Sequence, residues 1–354
     1  MLSRMCDMAL PETFVEGFHD EATVRKMSYK TLGKTGLSVS RISLGAGVFS
    51  YFYGDYNIEE CKETVLEALK AGINFIDTGP WYGHGESETI LGMCLEGIPR
   101  KAYYLASKVG RYEKDPKLMF DFTAEKTEKS IDESLKRLKV DYVDLLQVHD
   151  IEFAPTLQMV VEETLPTVQK IVQSGKAKHI GVTGYPLNTL KECIEKSQVP
   201  IETILTYCRS SMIDNSLDDY ITFLKRKNIG IINAAVNSMG LLTNKGPPDW
   251  HPAMETVKQI CKEASEYCKR ENVELGKLAV YNGLENPDTD TVLIGMNNRK
   301  LLNYNLEALR NGLNEQEANA YNKVKRIFQK LPAKTHWENF ELERFRKNEF
   351  KFAE

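Results

Sequence analysis

Short apolar runs rich in β-branched residues recur along the chain, and longer stretches with helical periodicity separate them. The runs lie at residues 41–46, 74–79, 103–110, 143–150, 179–185, 203–209, 230–236 and 291–296. Each run is continuously apolar and does not alternate with polar positions, which is typical of strands that are buried on both faces. The pattern therefore predicts eight parallel strands.

The stretches between the runs predict amphipathic helices. Residues 58–72 carry an apolar stripe and end at Gly72, and residues 123–140 begin at Thr123 as a helix cap, with basic residues toward their end. Strands and helices that alternate eight times predict an α/β fold, a closed (β/α)8 TIM barrel. A doubly wound open sheet is the alternative, although no G-x-G-x-x-G follows any strand.

Polar side chains stand at the ends of three consecutive predicted strands. Asp77 ends the second strand and Tyr82 lies in its loop, while Lys108 and His149 end the third and fourth strands. Each residue alone has an ordinary structural explanation, such as a helix cap or a rim salt bridge. Catalytic groups of such barrels stand at the carboxyl ends of the strands, so the four together predict a catalytic rim.

These four residue types suit proton exchange with a carbonyl or alcohol oxygen. We expect Lys108, held by Asp77, to lower the pKa of Tyr82, which then transfers the proton while His149 orients the oxygen. The set contains no activated nucleophile and lacks a hydride source, which a cofactor must supply. A metal site of Asp77, His149 and Asp150 is the alternative, but the sequence has no H-x-H or H-E-x-x-H pair, so we expect no metal.

The composition limits the kinds of partner that the protein can bind. The 354 residues carry a formal net charge of only −4, without a basic stretch that alternates with aromatic residues, so we expect no nucleic-acid partner. No apolar run approaches the roughly 20 residues of a membrane span, and no secretory segment begins the chain, which predicts a cytoplasmic protein that does not bind membranes. The seven scattered cysteines favour reduced thiols. We expect residues 1–27 to form a poorly ordered extension.

Several segments together resemble the aldo-keto reductases, a barrel family of nicotinamide-dependent carbonyl reductases and alcohol dehydrogenases. They are "FIDTGPWYGHGESETILG", "ASKVG", "LLQVHD", "GKAKHIGVTGY" and "GLLT", within a resemblance from about residue 28 to about 310. It implies that Asp77, Tyr82, Lys108 and His149 are the catalytic tetrad. It also implies a barrel over residues 28–331, closed at its bottom by a hairpin with "GKTG" as the turn.

Within that family, "VHDIEF", "GVTGYP" and "NSMGLLT" are most similar to the L-galactose dehydrogenase and aldose dehydrogenase branch, which oxidises the anomeric carbon of a sugar to a lactone. The resemblance implies substrate contacts from Phe49 and Trp81. It implies cofactor contacts from Gly47, Val48, Thr183, Gly184, Tyr207, Met239, Leu241, Ile294, Gly295, Met296, Asn297 and Asn305.

The chain departs from the family pattern at the predicted nicotinamide site. Many members carry Ser-Asn to hold the nicotinamide amide, where this chain has Thr183 and the side-chain-free Gly184. Tyr207 stands where many members have glutamine, and Ala234 where many have an aromatic residue. We therefore expect Tyr207 to stack on the nicotinamide ring, with core packing as the alternative.

The cofactor is NAD or NADP. Leu301 falls where NADP-preferring members often carry an arginine for the 2′-phosphate, which favours NAD. Arg299 and Lys300 stand beside it and keep NADP open, because either side chain could turn toward a phosphate.

The tail reads as a helix to about Leu331, followed by a break at Pro332. We expect residues 332–354 to wall the substrate pocket through Trp337 and Phe340, with a solvated charged helix as the alternative. The chain is predicted to be a monomeric enzyme that acts on a small aldehyde, ketone or sugar. A cofactor-binding regulatory subunit, like the barrel proteins attached to some ion channels, is the second possibility.

Overall fold

The computed structural model describes residues 10–347, and eight parallel strands close into a barrel within them. A two-stranded antiparallel hairpin, β1 and β2, precedes the barrel strands β3–β10, and β10 pairs with β3 to close the ring. The predicted barrel is confirmed. The strands are β1 Tyr29–Thr31, β2 Ser38–Ser40, β3 Ile42–Gly45, β4 Phe75–Asp77, β5 Tyr104–Val109, β6 Val143–Val148, β7 Ala177–Thr183, β8 Thr203–Tyr207, β9 Gly230–Ala234 and β10 Thr291–Gly295.

Helices connect the strands and cover the outside of the barrel. The predicted Thr123 cap is present, since its hydroxyl accepts the Lys126 N–H at the start of α4, and Asn57 caps α2 in the same way by accepting the Glu60 N–H. The helices are α1 Glu21–Val24, α2 Ile58–Lys70, α3 Glu86–Cys94, α4 Ala124–Leu138, α5 Leu157–Met159, α6 Leu165–Gln173, α7 Leu187–Lys196, α8 Asp218–Arg226, α9 Glu255–Arg270, α10 Leu275–Glu285, α11 Arg299–Asn311, α12 Glu315–Phe328 and α13 Phe340–Arg346.

The hairpin closes the amino end of the barrel, as the sequence predicts. Leu32, in the connection between β1 and β2, is fully buried among the residues that fill the barrel interior. Gly33 adopts a positive φ of 50°, and a Cβ on it would lie 2.1 Å from the backbone nitrogen of Gly230. The turn therefore needs glycine for both its conformation and its close approach to β9.

Residues 10–27 differ from the predicted poorly ordered extension. Val24 and Met27 are buried, and the Asn74 side-chain amide donates to the Thr13 hydroxyl at 2.9 Å. Apolar contacts distant in sequence hold this segment against the barrel, which its mixed composition does not indicate. Residues 1–9, the other part of the predicted extension, lie outside the described residues.

The tail crosses the carboxyl end of the barrel. Trp337 stacks on Tyr185, which follows β7, with ring centroids 5.1 Å apart, and the Thr335 hydroxyl donates to the Ile213 carbonyl at 2.6 Å. Phe340, predicted to line the pocket, is instead 45% exposed. Phe345, further along α13, contacts Phe120 and Phe153 with ring centroids 5.0 and 5.5 Å away. Residues 348–354 lie outside the described part of the chain.

Over residues 10–347, no helix has both the length and the apolar character needed to cross a membrane. The cysteines in the same range are buried with free thiols: Cys61, Cys94, Cys193, Cys208, Cys261 and Cys268.

Candidate active site

The four residues of the predicted catalytic rim meet at the carboxyl end of the barrel. Asp77 is the last residue of β4, Lys108 lies near the end of β5, and His149 follows β6. Parallel pairing of these adjacent strands places their ends side by side. Tyr82 reaches the same rim from the loop after β4. The structure thus brings together residues that are separated by up to 72 positions in the sequence.

Lys108 and Asp77 form a buried ion pair. The Lys108 side chain is 1% exposed, and its ammonium donates to Asp77 Oδ1 and, at 2.7 Å, to the Thr78 carbonyl. The second Asp77 oxygen accepts from the Gln147 amide at 2.7 Å. Burial raises the pKa of Asp77, and the Lys108 charge opposes that shift. Gln147 is not predictable as a site residue from the sequence, because an amide inside an apolar strand carries no motif.

The electrostatics of Tyr82 differ from the prediction. The Lys108 ammonium lies 4.9 Å from the centroid of the phenol ring, as expected for a neighbour. Desolvation nevertheless raises the pKa of Tyr82 well above 10, and the negative charges of Asp77 and Asp150 raise it further. The charge that opposes this rise is that of Arg111. Tyr82 therefore keeps its proton at neutral pH in this structure.

His149 is neutral at physiological pH. Burial lowers the pKa of its imidazole to about 3. Its ring centroid lies 5.8 Å from that of Tyr82, and within residues 10–347 no hydrogen-bond partner contacts its Nδ1 atom. A neutral imidazole can donate one N–H to an oxygen without bringing a positive charge into the site.

An ion pair that the sequence analysis missed adjoins His149. Asp150 has a positive φ of 49°, and its carboxylate accepts from Arg111 Nη1 at 2.6 Å. The Arg111 guanidinium lies 3.9 Å from the centroid of the Trp81 ring and 5.1 Å from that of Phe120. The sequence placed Asp150 only in the metal alternative. Within the described residues, no group of three or more His, Cys, Asp or Glu side chains is arranged to hold a metal ion.

Aromatic side chains form one wall of this rim. Trp81, a predicted substrate contact, stacks on Phe52 with ring centroids 5.2 Å apart. Phe345 of α13 lies edge-on to Phe120 at 5.0 Å. Phe49, the other predicted substrate contact, is 0% exposed and belongs to the main core, so it does not line the open rim. The sequence alone does not show whether an aromatic residue in a loop lines the rim or packs in the core.

The predicted cofactor residues of the first and last barrel strands lie next to the site. A Cβ on Gly47 would lie 3.2 Å from the Tyr82 ring, and a Cβ on Gly295 would lie 2.4 Å from Val48 Cγ1. Backbone therefore approaches both the phenol and the neighbouring strand end closely. Among the other predicted residues here, Asn297 is partly exposed, while the side chains of Ile294, Met296 and Asn305 are buried.

The predicted cofactor residues of the middle strands lie on the opposite side. The Thr183 hydroxyl accepts the Asp150 backbone N–H at 3.0 Å, which ties β7 to the His149 loop. Tyr207 is partly exposed, with its ring 4.9 Å from that of Tyr185. Met239 is partly exposed in a 3-10 turn, whereas Leu241 is buried in a second apolar cluster.

The start of α11 holds the residues predicted to discriminate between cofactors. Arg299 Nη2 lies 3.3 Å from Glu63 and Nη1 lies 3.6 Å from Glu67, both on α2. Lys300 and Leu301 are exposed beside it. The Arg299 charge is therefore matched by two carboxylates in this structure.

Comparison with known proteins identifies the family. Residues 41–326 match the aldo/keto reductase family, and this chain belongs to it. The chain is 42% identical over 289 residues to the L-galactose dehydrogenase of Arabidopsis thaliana, covering 80% of this chain and 88% of that relative. It is 30% identical over 255 residues to the D-arabinose 1-dehydrogenase of Saccharomyces cerevisiae, covering 68% of this chain and 74% of that relative.

The fold comparison agrees with this membership. An aldo-keto reductase from Bacillus halodurans, solved in its holo form, superposes with a TM-score of 0.68 at 23% identity, over 88% of this chain and 99% of that one. The protein is thus an NAD(P)-dependent oxidoreductase with a family barrel.

The rim fits a bound nicotinamide nucleotide. Two buried polar atoms there, His149 Nδ1 and Glu152 Oε2, have no hydrogen-bond partner within the described residues. Such atoms are rare in folded proteins and are typical of a site that a ligand completes.

Proposed function

We propose that the protein interconverts an alcohol and a carbonyl on a neutral sugar, as an aldose 1-dehydrogenase that oxidises the anomeric carbon to a lactone. The observation that carries the proposal is the assembly of Asp77, Lys108, Tyr82 and His149 at one rim. The two sugar dehydrogenases among the relatives support the substrate class.

The charges around the rim support a neutral, hydroxyl-rich substrate. The carboxylate of Asp150 and the guanidinium of Arg111 form a buried acceptor and donor pair beside His149, as hydroxyl recognition needs. The aromatic cluster of Trp81, Phe52 and Phe120 at this rim offers an apolar surface to a sugar ring. The ion pairs of Lys108 with Asp77 and of Arg111 with Asp150 are each balanced, so neither offers a net positive charge that would attract an anionic substrate such as a sugar phosphate.

Each residue has a distinct role in the proposed reaction. The nicotinamide of the bound cofactor supplies or accepts the hydride. Tyr82 gives a proton to the carbonyl oxygen in reduction, or takes the hydroxyl proton in oxidation, while a His149 N–H orients that oxygen. The Lys108–Asp77 ion pair lies beside the Tyr82 ring and holds it in position. The raised pKa of Tyr82 keeps the phenol protonated at neutral pH, so it can donate the proton in reduction, whereas oxidation needs the deprotonated form and should accelerate as the pH rises.

We propose NAD as the preferred cofactor. Glu63 and Glu67 neutralise Arg299, and their charges would repel a 2′-phosphate at the start of α11. Leu301 carries no charge that could attract this phosphate. A cytoplasmic location and a monomeric state stay predictions.

Replacement of Tyr82 by Phe tests the mechanism. Turnover of aldoses, followed by absorbance at the nicotinamide band, should fall about 10²- to 10⁴-fold, because the ring remains and only the proton-transferring group is lost. Cofactor affinity should stay nearly unchanged. Wild-type turnover in the variant would refute the role of Tyr82. Absence of turnover by the wild type across aldoses, aldehydes and ketones would instead favour the regulatory-subunit alternative.

A further inference from the structure

Gln147 is a buried amide next to the catalytic rim. It lies on β6, two residues before His149, and is 0% exposed. Its Nε2 atom donates to Asp77 Oδ2 at 2.7 Å. Because a carboxylate accepts hydrogen bonds and does not donate them, this contact fixes the orientation of the amide. The Oε1 atom of Gln147 then has no partner within residues 10–347.

An amide at this position of the strand costs stability. Its neighbours on β6 are apolar and buried, including Leu145, Leu146 and Val148. A buried acceptor without a donor is unfavourable, and Gln147 Oε1 is such an acceptor. Polar groups that are retained at such a cost are typical of functional sites. The gain from keeping Gln147 therefore lies in its single bond to Asp77.

That bond completes the contacts of the Asp77 carboxylate. Oδ1 accepts from the Lys108 ammonium, and Gln147 is the only donor to Oδ2 within residues 10–347. Two bonds on opposite oxygens prevent the carboxylate from rotating. Lys108 and Gln147 are also register partners on β5 and β6, and the Lys108 ammonium lies 4.9 Å from the centroid of the Tyr82 ring. Rotation of the carboxylate would therefore displace the ammonium beside the phenol.

We propose that Gln147 is a positioning residue for the reaction, which fixes the Asp77 carboxylate and, through it, the Lys108 ammonium beside Tyr82. The inference rests on the proposed function, in which Tyr82 transfers the proton. Gln147 itself is fully buried and acts only through its neighbours. Its loss should therefore lower kcat and leave KM and cofactor affinity unchanged.

Gln147→Met keeps the length of the side chain and removes the donor. The kcat for reduction of an aldose by the reduced cofactor should fall at least about 10-fold, as the loss of a hydrogen bond to a charged group predicts. KM for the aldose and the dissociation constant of the cofactor, measured by titration calorimetry, should stay within about twofold of wild type.

Gln147→Glu separates positioning from packing. The carboxyl group of this variant has nearly the shape of the amide, and when it is protonated its O–H can donate to Asp77 Oδ2. Two carboxyl groups in contact retain one proton up to a raised pKa, because their negative charges repel. The kcat of the variant relative to wild type should thus approach 1 near about pH 5 and fall at least about 10-fold toward about pH 9. A packing defect would lower this ratio by the same factor at every pH.

The other charged and titratable groups at the rim are common to wild type and variant, so their own titration cancels in the ratio. They are Tyr82 after β4, Lys108 on β5, Arg111 after β5, and His149, Asp150 and Glu152 after β6. On the other side, β7 places the uncharged Gly181 beside Gln147. Gln158→Glu makes the same substitution at an exposed position after β6 and should keep the ratio near 1 at every pH.

The outcomes distinguish this inference from the proposed function. Wild-type kcat in Gln147→Met, or a ratio for Gln147→Glu that does not change with pH, would overturn the inference and leave the enzyme proposal intact. If Gln147→Met does not fold, the pH dependence of Gln147→Glu decides alone, because that variant keeps the bond at low pH. Absence of aldose turnover by wild type would instead overturn the proposed function.

Discussion

The Lys108–Asp77 pair shows how much one residue depends on another inside a barrel. Both side chains are almost fully removed from water, and each charge is satisfied by the other together with Thr78 and Gln147. Loss of one partner leaves an unpaired buried charge, which is more destabilising than loss of both. The pair is thus a structural requirement of the rim.

Lys108→Met should lower the free energy of unfolding by about 3 to 5 kcal/mol near neutral pH. Asp77 loses its cation, so its already raised pKa rises further above the unfolded value. A raised folded-state pKa contributes stability below the unfolded pKa that is lost as the pH rises, so the defect should shrink toward pH 4. Urea denaturation at several pH values measures it.

Two further variants control the Lys108→Met experiment. The double variant with Asp77→Asn should be more stable than Lys108→Met alone, because no buried charge remains. Lys62→Met, which breaks the exposed pair with Glu59, should cost less than about 1 kcal/mol. An equal loss at both lysines would show that burial of the Lys108 pair has no special effect.

At the scale of single residues, the sequence predicts which side chains reach the rim better than it predicts their environment. Asp77, Lys108 and His149 are identifiable because each interrupts an apolar strand at its end. The burial of Tyr82 and its nearness to Asp77 and Asp150, which raise its pKa, depend on distances that no sequence spacing contains. The burial of Phe49 in the core was unpredictable for the same reason, since the sequence does not distinguish aromatic residues of the core from those of the rim.

At the scale of elements, all eight predicted strands are present. Continuous apolar runs between amphipathic stretches can form few structures other than parallel strands buried on both faces. Residues 10–27 were harder to predict. Their few buried side chains, such as Val24 and Met27, are spaced irregularly and find their partners far along the chain. Short elements that depend on tertiary contacts carry little local pattern.

Gly295→Ala tests how tightly the last strand end packs on the first. The added Cβ would lie 2.4 Å from Val48 Cγ1, so we expect a loss of about 1 to 3 kcal/mol in the free energy of unfolding. Val48→Ala removes the clashing methyl group and should recover part of that loss in the double variant, as denaturation would show. Gly276→Ala, whose Cβ meets only ordinary contacts inside α10, should be neutral or stabilising.

The contact between α2 and α11 should set the cofactor preference. Glu63→Gln with Glu67→Gln frees Arg299 to attract a 2′-phosphate, so kcat/KM for NADP should rise several-fold while that for NAD changes little. Glu59→Gln, another exposed carboxylate on α2, is the matched control. A strong NADP preference in wild type that collapses in an Arg299→Ala, Lys300→Ala variant would contradict the NAD proposal.

At the scale of the whole molecule, the described segments before and after the eight barrel strands close the two ends of the barrel. The hairpin fills the amino end with Leu32, and the tail crosses the carboxyl end through Trp337. The site therefore lies between the packed interior of the barrel and the tail that crosses its carboxyl end. The break at Pro332 predicts that a separate tail follows the last long helix. Which aromatic residues of that tail face inward depends on the orientation of α13.

Trp337→Ala tests whether the tail is integral to the fold. Trp337 is 6% exposed, stacks on Tyr185 and meets His251 edge-on at 4.9 Å, so its loss should cost about 3 kcal/mol or more in urea denaturation. The loosened tail should also be cleaved faster by protease, and KM for the sugar should rise while cofactor affinity holds. Phe340→Ala, in the same segment but exposed, should change stability by less than about 0.5 kcal/mol. Equal effects at the two positions would mean that the tail does not anchor through Trp337.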